Sequence, residues 1–413
     1  MWRWPRCALP ALATVTLVAA AGCSLSVPGQ AVKAPGGPPP GAVDDSELVT
    51  GNYPTTPAPP LGVAGSPVAG AMIDARSMAN NVVGPWDVDS SLVTPSPLRA
   101  MVLEDAGAVG LIEPPGVSAA VQAHFFINGF SSDRRDEANQ QRLMNAVLRF
   151  TDPPSAAAAA ADMAAAAVNQ PDLTRPMSKL PIPGQPGALA FTDSYGAEQH
   201  SVTLVSYTPH GPYVLCQTVQ AAGVDTAAAL ISKTLDLQGP LIDTFSPTDP
   251  ARFVDLAWDA TGLLARTMHY PSWPEPEESV PANPKVGVYL PHAALHFQDN
   301  PPGAALALSA AGVQAMAYYQ TVVYQARDSV AAAQLTVDLW DLSLATEPSA
   351  EPSDGVSFMP TSRCVHAERL NGSGQLLYSC YAPAGTFTIE AHSADPIAVH
   401  QQIAAQYKML LGK

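Results

Sequence analysis

Two histidines four residues apart, His292 and His296 in PHAALHF, are the nearest thing in this chain to a metal-ligand pair. On a helix that spacing aims both rings one way, and on an extended run they also share a face. No Glu stands between them and VGVYLP before them reads as a strand, so we expect a polar edge and no metal. Arg134 and Arg135 lie among acids in GFSSDRRDEANQQR, which reads as a helix or loop with a solvated face rather than an anion clamp. Ser373 belongs to the turn NGSG, not to a G-x-S-x-G elbow. The chain has no GxxxxGK[ST] and no GxGxxG at a strand-to-helix junction, so a phosphate-cradling cofactor site is not expected. Trp86, Trp258, Trp273 and Trp340 are too scattered to form a stacking platform; Trp273, in the proline-rich stretch SWPEPEE, is the expected contact residue. No catalytic, cofactor or metal residue is expected, and the alternative is a hydrolase whose Ser, His and Asp lie far apart in sequence.

The cysteines carry the remaining chemistry. MWRWPRCALPALATVTLVAAAGC puts Arg3 and Arg6 before an apolar run that ends in small residues and Cys23. The run is too short to span a membrane, which takes about 20 apolar residues, and reads as an export signal. LVAAAGC resembles a bacterial lipobox, which implies diacylglycerol on the Cys23 thiol and residues 1–22 removed; an ordinary cleavable signal is the plainer reading. Pro and Gly dominate the following segment to residue 66, a flexible tether with too little apolar surface to fold. In an oxidising compartment, Cys364 and Cys380 flank two strand-like runs symmetric about Gly372, so a hairpin would set them opposite each other as a disulfide. Cys216, in PYVLCQTV, reads as a buried inert thiol.

Charge bounds the partners. The leader takes away Arg3 and Arg6 and no acid, leaving 18 Lys and Arg against 36 Asp and Glu, a formal net charge of −18. That balance disfavours nucleic acid, whose affinity comes from cations on phosphate, and electrostatic docking on anionic lipid.

The elements that position these groups come in duplicate. Residues 188–220 align without gaps on 362–394, so that YTPHGPYVL (207–215) lies over YAPAGTFTI (381–389). Tyr207 matches Tyr381, Pro209 matches Pro383 and Gly211 matches Gly385; the shared residues are turn formers and inward-facing apolar side chains at period two. A helix follows each copy, with Asp225 and Asp395 as expected N-caps, and a strand leading through Asp152 or Asp328 into a helix precedes each. Each half reads strand, helix, three-stranded meander, helix, which predicts an α+β fold of two duplicated domains, each a largely antiparallel sheet with helices on one face. We place the first domain at 67–246 and the second at 247–413, the latter opening with a helix over FVDLAWDATGLLARTM. A catalytic set would consist of polar groups shared or contrasted between the copies, and in the turns His210 faces Ala384.

With its leader, its tether, GNYPTTP (51–57), PHAALHF and the closing AAQYKML (404–410), the whole chain resembles a family of lipoproteins from mycobacteria and related actinobacteria whose biochemical role is undefined. The resemblance implies localisation and fold and adds no catalytic residue. The expectation is a non-catalytic protein lipid-anchored at Cys23 on the outer face of the plasma membrane, binding a lipid or glycolipid between sheet and helices, or an envelope protein.

Overall fold

A computed structural model describes residues 42–169, 177–193, 201–269, 283–368 and 374–412. Cys23, Trp273 and Ser373 lie outside the described residues.

The duplication runs deeper than the meander. The first half runs β1 (Thr94–Leu103), α3 (Ala106–Val109), α4 (Pro115–Ala123), β2 (Phe126–Arg135), β3 (Arg142–Phe150) and α5 (Pro153–Val168). It continues with β4 (Met177–Lys179), β5 (Leu189–Asp193), β6 (Val202–His210), β7 (Tyr213–Ala221) and α6 (Val224–Ile242), and α1 (Pro67–Met78) and α2 (Pro85–Val88) precede it. The second half repeats the series as β8 (Gly287–Tyr289), α7 (Pro291–Leu295), α8 (Pro301–Ala311), β9 (Ala315–Tyr318), β10 (Thr321–Gln325) and α9 (Ser329–Thr346). It closes with β11 (Glu351–Ser353), β12 (Arg363–Glu368), β13 (Leu376–Ala384), β14 (Phe387–Ser393) and α10 (Pro396–Leu411). The strand orders, β1-β2-β3-β7-β6-β5-β4 and β8-β9-β10-β14-β13-β12-β11, correspond strand for strand. Both seven-stranded sheets are antiparallel throughout, which is the predicted α+β class.

The turn residues shared by the two copies have backbone reasons. Gly211 and Gly385 both sit at positive φ, 53° and 60°, in the hairpins β6–β7 and β13–β14, where a side chain would be strained. Asp152 and Asp328 cap α5 and α9 by accepting from Ser155 N and Ala331 N, and Asp395 caps α10. Asp225 does not cap α6: the N-cap is Gly223, and Asp225 lies in the first turn, where its charge still suits the helix dipole.

Three further expectations are corrected. Helices cover both faces of each sheet: α5 packs on Met144, Leu148 and Cys216, α6 on the opposite face with Leu143, Leu204 and Leu215. In the second half α10 packs on Val323, Cys380 and Ile389, while α9 packs on Tyr324 and Tyr381. The segment from Phe253 is not a long helix but two short 3₁₀ turns, Pro250–Asp255 and Leu264–Arg266, joined by irregular chain. Its Phe253 backbone lies against Gly70 of α1, where a Cβ would come within 2.3 Å of the Phe253 carbonyl oxygen. Finally, GFSSDRRDEANQQR is the hairpin of β2 and β3, its turn held by Asp136, which accepts from the Gln140 and Gln141 amides.

Candidate functional site

The structure buries two of the polar groups that read as solvent-facing. Arg134, on β2, is fully buried; it donates from Nη1 to Val93 O (3.1 Å) and from Nη2 to His296 O (2.8 Å), and stacks 5.4 Å from the Trp86 ring. Burial, and next the charge of Arg99, lowers its pKa to about 9. His292 and His296 lie on and just after α7, not on a strand, because Pro291 starts a helical turn. His296 is fully buried, between Trp86 and Phe130. Its Nε2 faces the Ala79 carbonyl (3.1 Å), an acceptor, and so carries the proton, leaving Nδ1 to accept from the Ser132 hydroxyl (2.9 Å). Burial, then His292 and Arg134, holds its pKa well below the usual value, and both of its nitrogens are hydrogen-bonded within the core, so His296 is structural. Cys364, Cys380 and His400 put ligand-type atoms within 4.8 Å of one another, but both sulfurs are joined in the Cys364–Cys380 disulfide. The two cysteines are directly opposite in the β12–β13 register. Cys216 is buried, and burial, then Glu113, raises its thiol pKa well above the ordinary value.

The site that emerges is elsewhere. A cavity of about 560 Å³ opens between the second sheet and the C-terminal half of α9. Met316, Leu339, Leu342, Val365 and Leu377 form its apolar wall. Its floor is a polar patch on neighbouring strands: Ser379 and Tyr381 of β13, Glu390 and His392 of β14, Tyr324 of β10. The register pairs Ser379 with His392 and Tyr381 with Glu390, and residues two apart on a strand share a face.

These side chains form a connected network. His392 Nδ1 lies 2.8 Å from Ser379 Oγ, and its Nε2 lies 2.9 Å from Glu390 Oε1. Glu390 Oε2 accepts from the Tyr324 hydroxyl (2.6 Å), which in turn accepts from Gln298 Nε2 (2.9 Å). The Tyr381 hydroxyl meets Ser343 Oγ of α9 at 2.7 Å. Burial works against a charged His392, but the hydrogen bond and charge of Glu390 outweigh it, and its pKa is raised. Burial, and next the charge of Asp299, raises Glu347 at the rim.

The first half lends one group. Arg99 sits on an irregularity of β1, between Pro95 and Ala100 in the register, with a positive φ of 35°. From there it reaches the cavity wall, donating to Phe297 O (2.8 Å) and pairing with Asp299. A strained non-glycine backbone of this kind costs on the order of 1–3 kcal/mol and marks a side chain that is aimed.

The equivalent face of the first half is different. The registers equate Ser379, Tyr381, Glu390, His392 and Tyr324 with Val205, Tyr207, Cys216, Thr218 and Leu148. There α5 lays Ala160, Met163, Ala164 and Ala167 directly on the sheet in one closed core. Tyr207 donates to Glu113 of the segment before α4 (3.0 Å) instead of facing a strand carboxylate. The chain therefore holds two copies of one scaffold, one closed under the alanines of α5, the other opened over a polar network. None of Ser379, Glu390 and His392 stands out in the sequence, because each occupies an ordinary alternating strand position; the signal that could have found them is the copy-to-copy contrast at positions 205, 216 and 218.

A duplicated α+β protein with one copy opened over a polar network is the class that the fold and the cavity define. The chain belongs to the family described as the domain of unknown function DUF7373: its N-terminal model matches residues 61–258 and its C-terminal model residues 263–413. No curated protein matches the sequence. Among solved structures, the extracellular domain of PknH from Mycobacterium tuberculosis is similar over 38% of this chain and 91% of that domain, at 9% identity and a TM-score of 0.27. At that level neither function nor location transfers.

Proposed function

We propose that this is an exported protein, lipid-anchored at Cys23 on the outer face of the plasma membrane, that binds a small amphipathic ligand, a lipid or glycolipid fragment, in the second-half cavity. One observation carries the binding reading: the polar network and the open volume occur together in one copy, while the other copy packs the alanines of α5 on the equivalent face. Selection on architecture alone has no reason to place Glu390 and His392 where Cys216 and Thr218 satisfy the same scaffold. A cavity of this volume suits a drug-sized molecule, with apolar walls for its body and a few polar groups to orient it. The leader, Cys23 and the proline-rich tether support export and anchoring, and the disulfide fits an oxidising compartment. No helix among the described residues is long and apolar enough to cross a membrane.

Native mass spectrometry of the mature protein, purified gently from its own envelope, tests the binding reading: a reproducible adduct of lipid or glycolipid mass is expected, and a bare protein counts against it. Cys23→Ala is expected to move the protein out of the membrane fraction; persistence there removes the anchor. A hydrolase reading has one observation in its favour, the hydrogen-bonded series Ser379, His392 and Glu390.

A further inference from the structure

We propose that the cavity is also an acyl-transfer site, with Ser379 as nucleophile, His392 as general base and Glu390 as the group that orients the base, acting on neutral carboxylic esters. This departs from the non-catalytic expectation and rests on the cavity being a binding site. Two distances carry it, 2.8 Å from Ser379 Oγ to His392 Nδ1 and 2.9 Å from His392 Nε2 to Glu390 Oε1. An ionised carboxylate only accepts hydrogen bonds, so Glu390 fixes the neutral imidazole as the Nε2–H tautomer. Nδ1 is then the free base and faces the serine hydroxyl. The two nitrogens have exchanged the positions they hold in serine proteases, but the division of labour is the same: one is held by an acid, the other takes the proton.

The surroundings are consistent with that use. The His392 side chain is 39% exposed, open to the cavity, whereas Glu390 is only 13% exposed and is further held by the Tyr324 hydroxyl. The nucleophile and base are thus reachable while the orienting acid is fixed. The equivalent positions of the closed copy, Val205, Thr218 and Cys216, can perform none of these roles together. Asp299, Glu347, Glu368 and Glu390 outnumber Arg99 and His392 among the charged groups of the lining, which disfavours anionic substrates and points to an uncharged ester. Its acyl group would lie along Leu339, Leu342, Val365 and Leu377.

The step balances without a further reactant. Ser379 Oγ attacks the ester carbonyl carbon and its proton passes to His392 Nδ1; the C–O bond to the alcohol breaks, and that proton leaves with the alkoxide. Water repeats the sequence on the acyl-serine, releases the acid and restores the serine. Arg99, the cation other than His392 among the described lining residues, is the group available to face an oxyanion, and its engagement with Asp299 predicts slow turnover. Three charged groups act on His392: Glu390 from β14, Asp299 after α7 and Arg99 from β1, with the neutral Tyr381 of β13 and the acids Glu347 and Glu368 elsewhere in the lining. A protonated His392 has no lone pair for Ser379, so the rate should rise with pH through the histidine's pKa, which lies above the ordinary value.

The test uses the full chain in detergent, a fluorophosphonate label and p-nitrophenyl butyrate, with the amide analogue of the ester as a ligand that is not turned over. The expected result is a label on the Ser379 peptide, and hydrolysis that falls at least about 100-fold in both Ser379→Ala and His392→Gln while each variant keeps the wild-type melting temperature and still binds the amide. Amide binding with no label at Ser379, or hydrolysis that survives Ser379→Ala, overturns acyl transfer and leaves the binding reading standing. Failure of wild type to bind the amide or to react with either reagent overturns acyl transfer and counts against the cavity as a binding site as well.

Discussion

Glu113 shows how much a single side chain can hide. It is buried, accepts from the Tyr207 hydroxyl through Oε2, and has no partner on Oε1. Burial raises its pKa to about 7, against the smaller opposing effect of Tyr207. The folded protein therefore holds a proton that the unfolded chain has released above its ordinary carboxylate pKa. That stabilisation is complete at pH values below the unfolded pKa and is lost as pH rises through about 7. The change is on the order of 3 kcal/mol. Glu113→Gln should flatten the dependence of melting temperature on pH between about 4.5 and 7 and should stabilise the protein at pH 8. An unchanged slope in the variant would show that another group is responsible. Little at this scale is legible in the sequence. Arg134 and His296 read as solvated because their neighbours are polar, yet Trp86, Phe130 and the carbonyls that bury and satisfy them come from distant elements. Cys364 and Cys380 are the opposite case, since hairpin symmetry alone places them face to face.

Elements were easier to read where local chemistry decides them. The aspartate caps of α5, α9 and α10, the glycines of the two hairpins and the alternation of β6, β7, β13 and β14 all follow from short-range rules. β1, β2, α8 and the short strands β4 and β11 escaped, because their pairing depends on partners far along the chain and several are too short for a period to show, whereas β8 was legible as VGVYLP. The apolar run after Phe253 looked helical but is broken at Gly262, which sits at a positive φ of 71°, into irregular chain with a short 3₁₀ turn at Leu264–Arg266. The disulfide is the strongest local constraint. It closes a loop of sequence separation 16 across β12 and β13, both of which line the cavity. Cys364→Ala with Cys380→Ala should lower stability by about 2–4 kcal/mol in denaturant titrations, with the loss chiefly entropic in origin. A loss well under about 1 kcal/mol would mean that the hairpin holds its register without the link.

For the molecule as a whole, duplication was legible and its consequence was not. The alignment of residues 188–220 on 362–394 predicts one scaffold built twice, and the two sheets match strand for strand. Depth of burial, helices on both faces and the opening under α9 cannot be read from one strand pattern, because they depend on how far each helix stands from its sheet. The alanine side chains of α5 allow close approach; Leu339, Leu342 and Ser343 of α9 hold the corresponding gap open. The halves are also joined through a continuous core running from Ile231 and Leu235 past Trp86 and Phe130 to Phe297, Leu308 and Leu335. Arg99 and Arg134 of the first half cap carbonyls at the C-terminal end of α7 in the second. Arg99 thus brings a first-half side chain into the wall of the second-half cavity.

The central claim is that the second copy, and not the first, is the binding copy. The most direct measurement compares native mass spectra of the envelope-purified wild type with two variants that place a phenylalanine at different sites. Ala367→Phe enters the second-half cavity, and Val205→Phe enters the equivalent closed face of the first half. The account predicts an adduct in wild type and in Val205→Phe, and its loss in Ala367→Phe with the fold intact. An adduct that survives Ala367→Phe but disappears in Val205→Phe would contradict it.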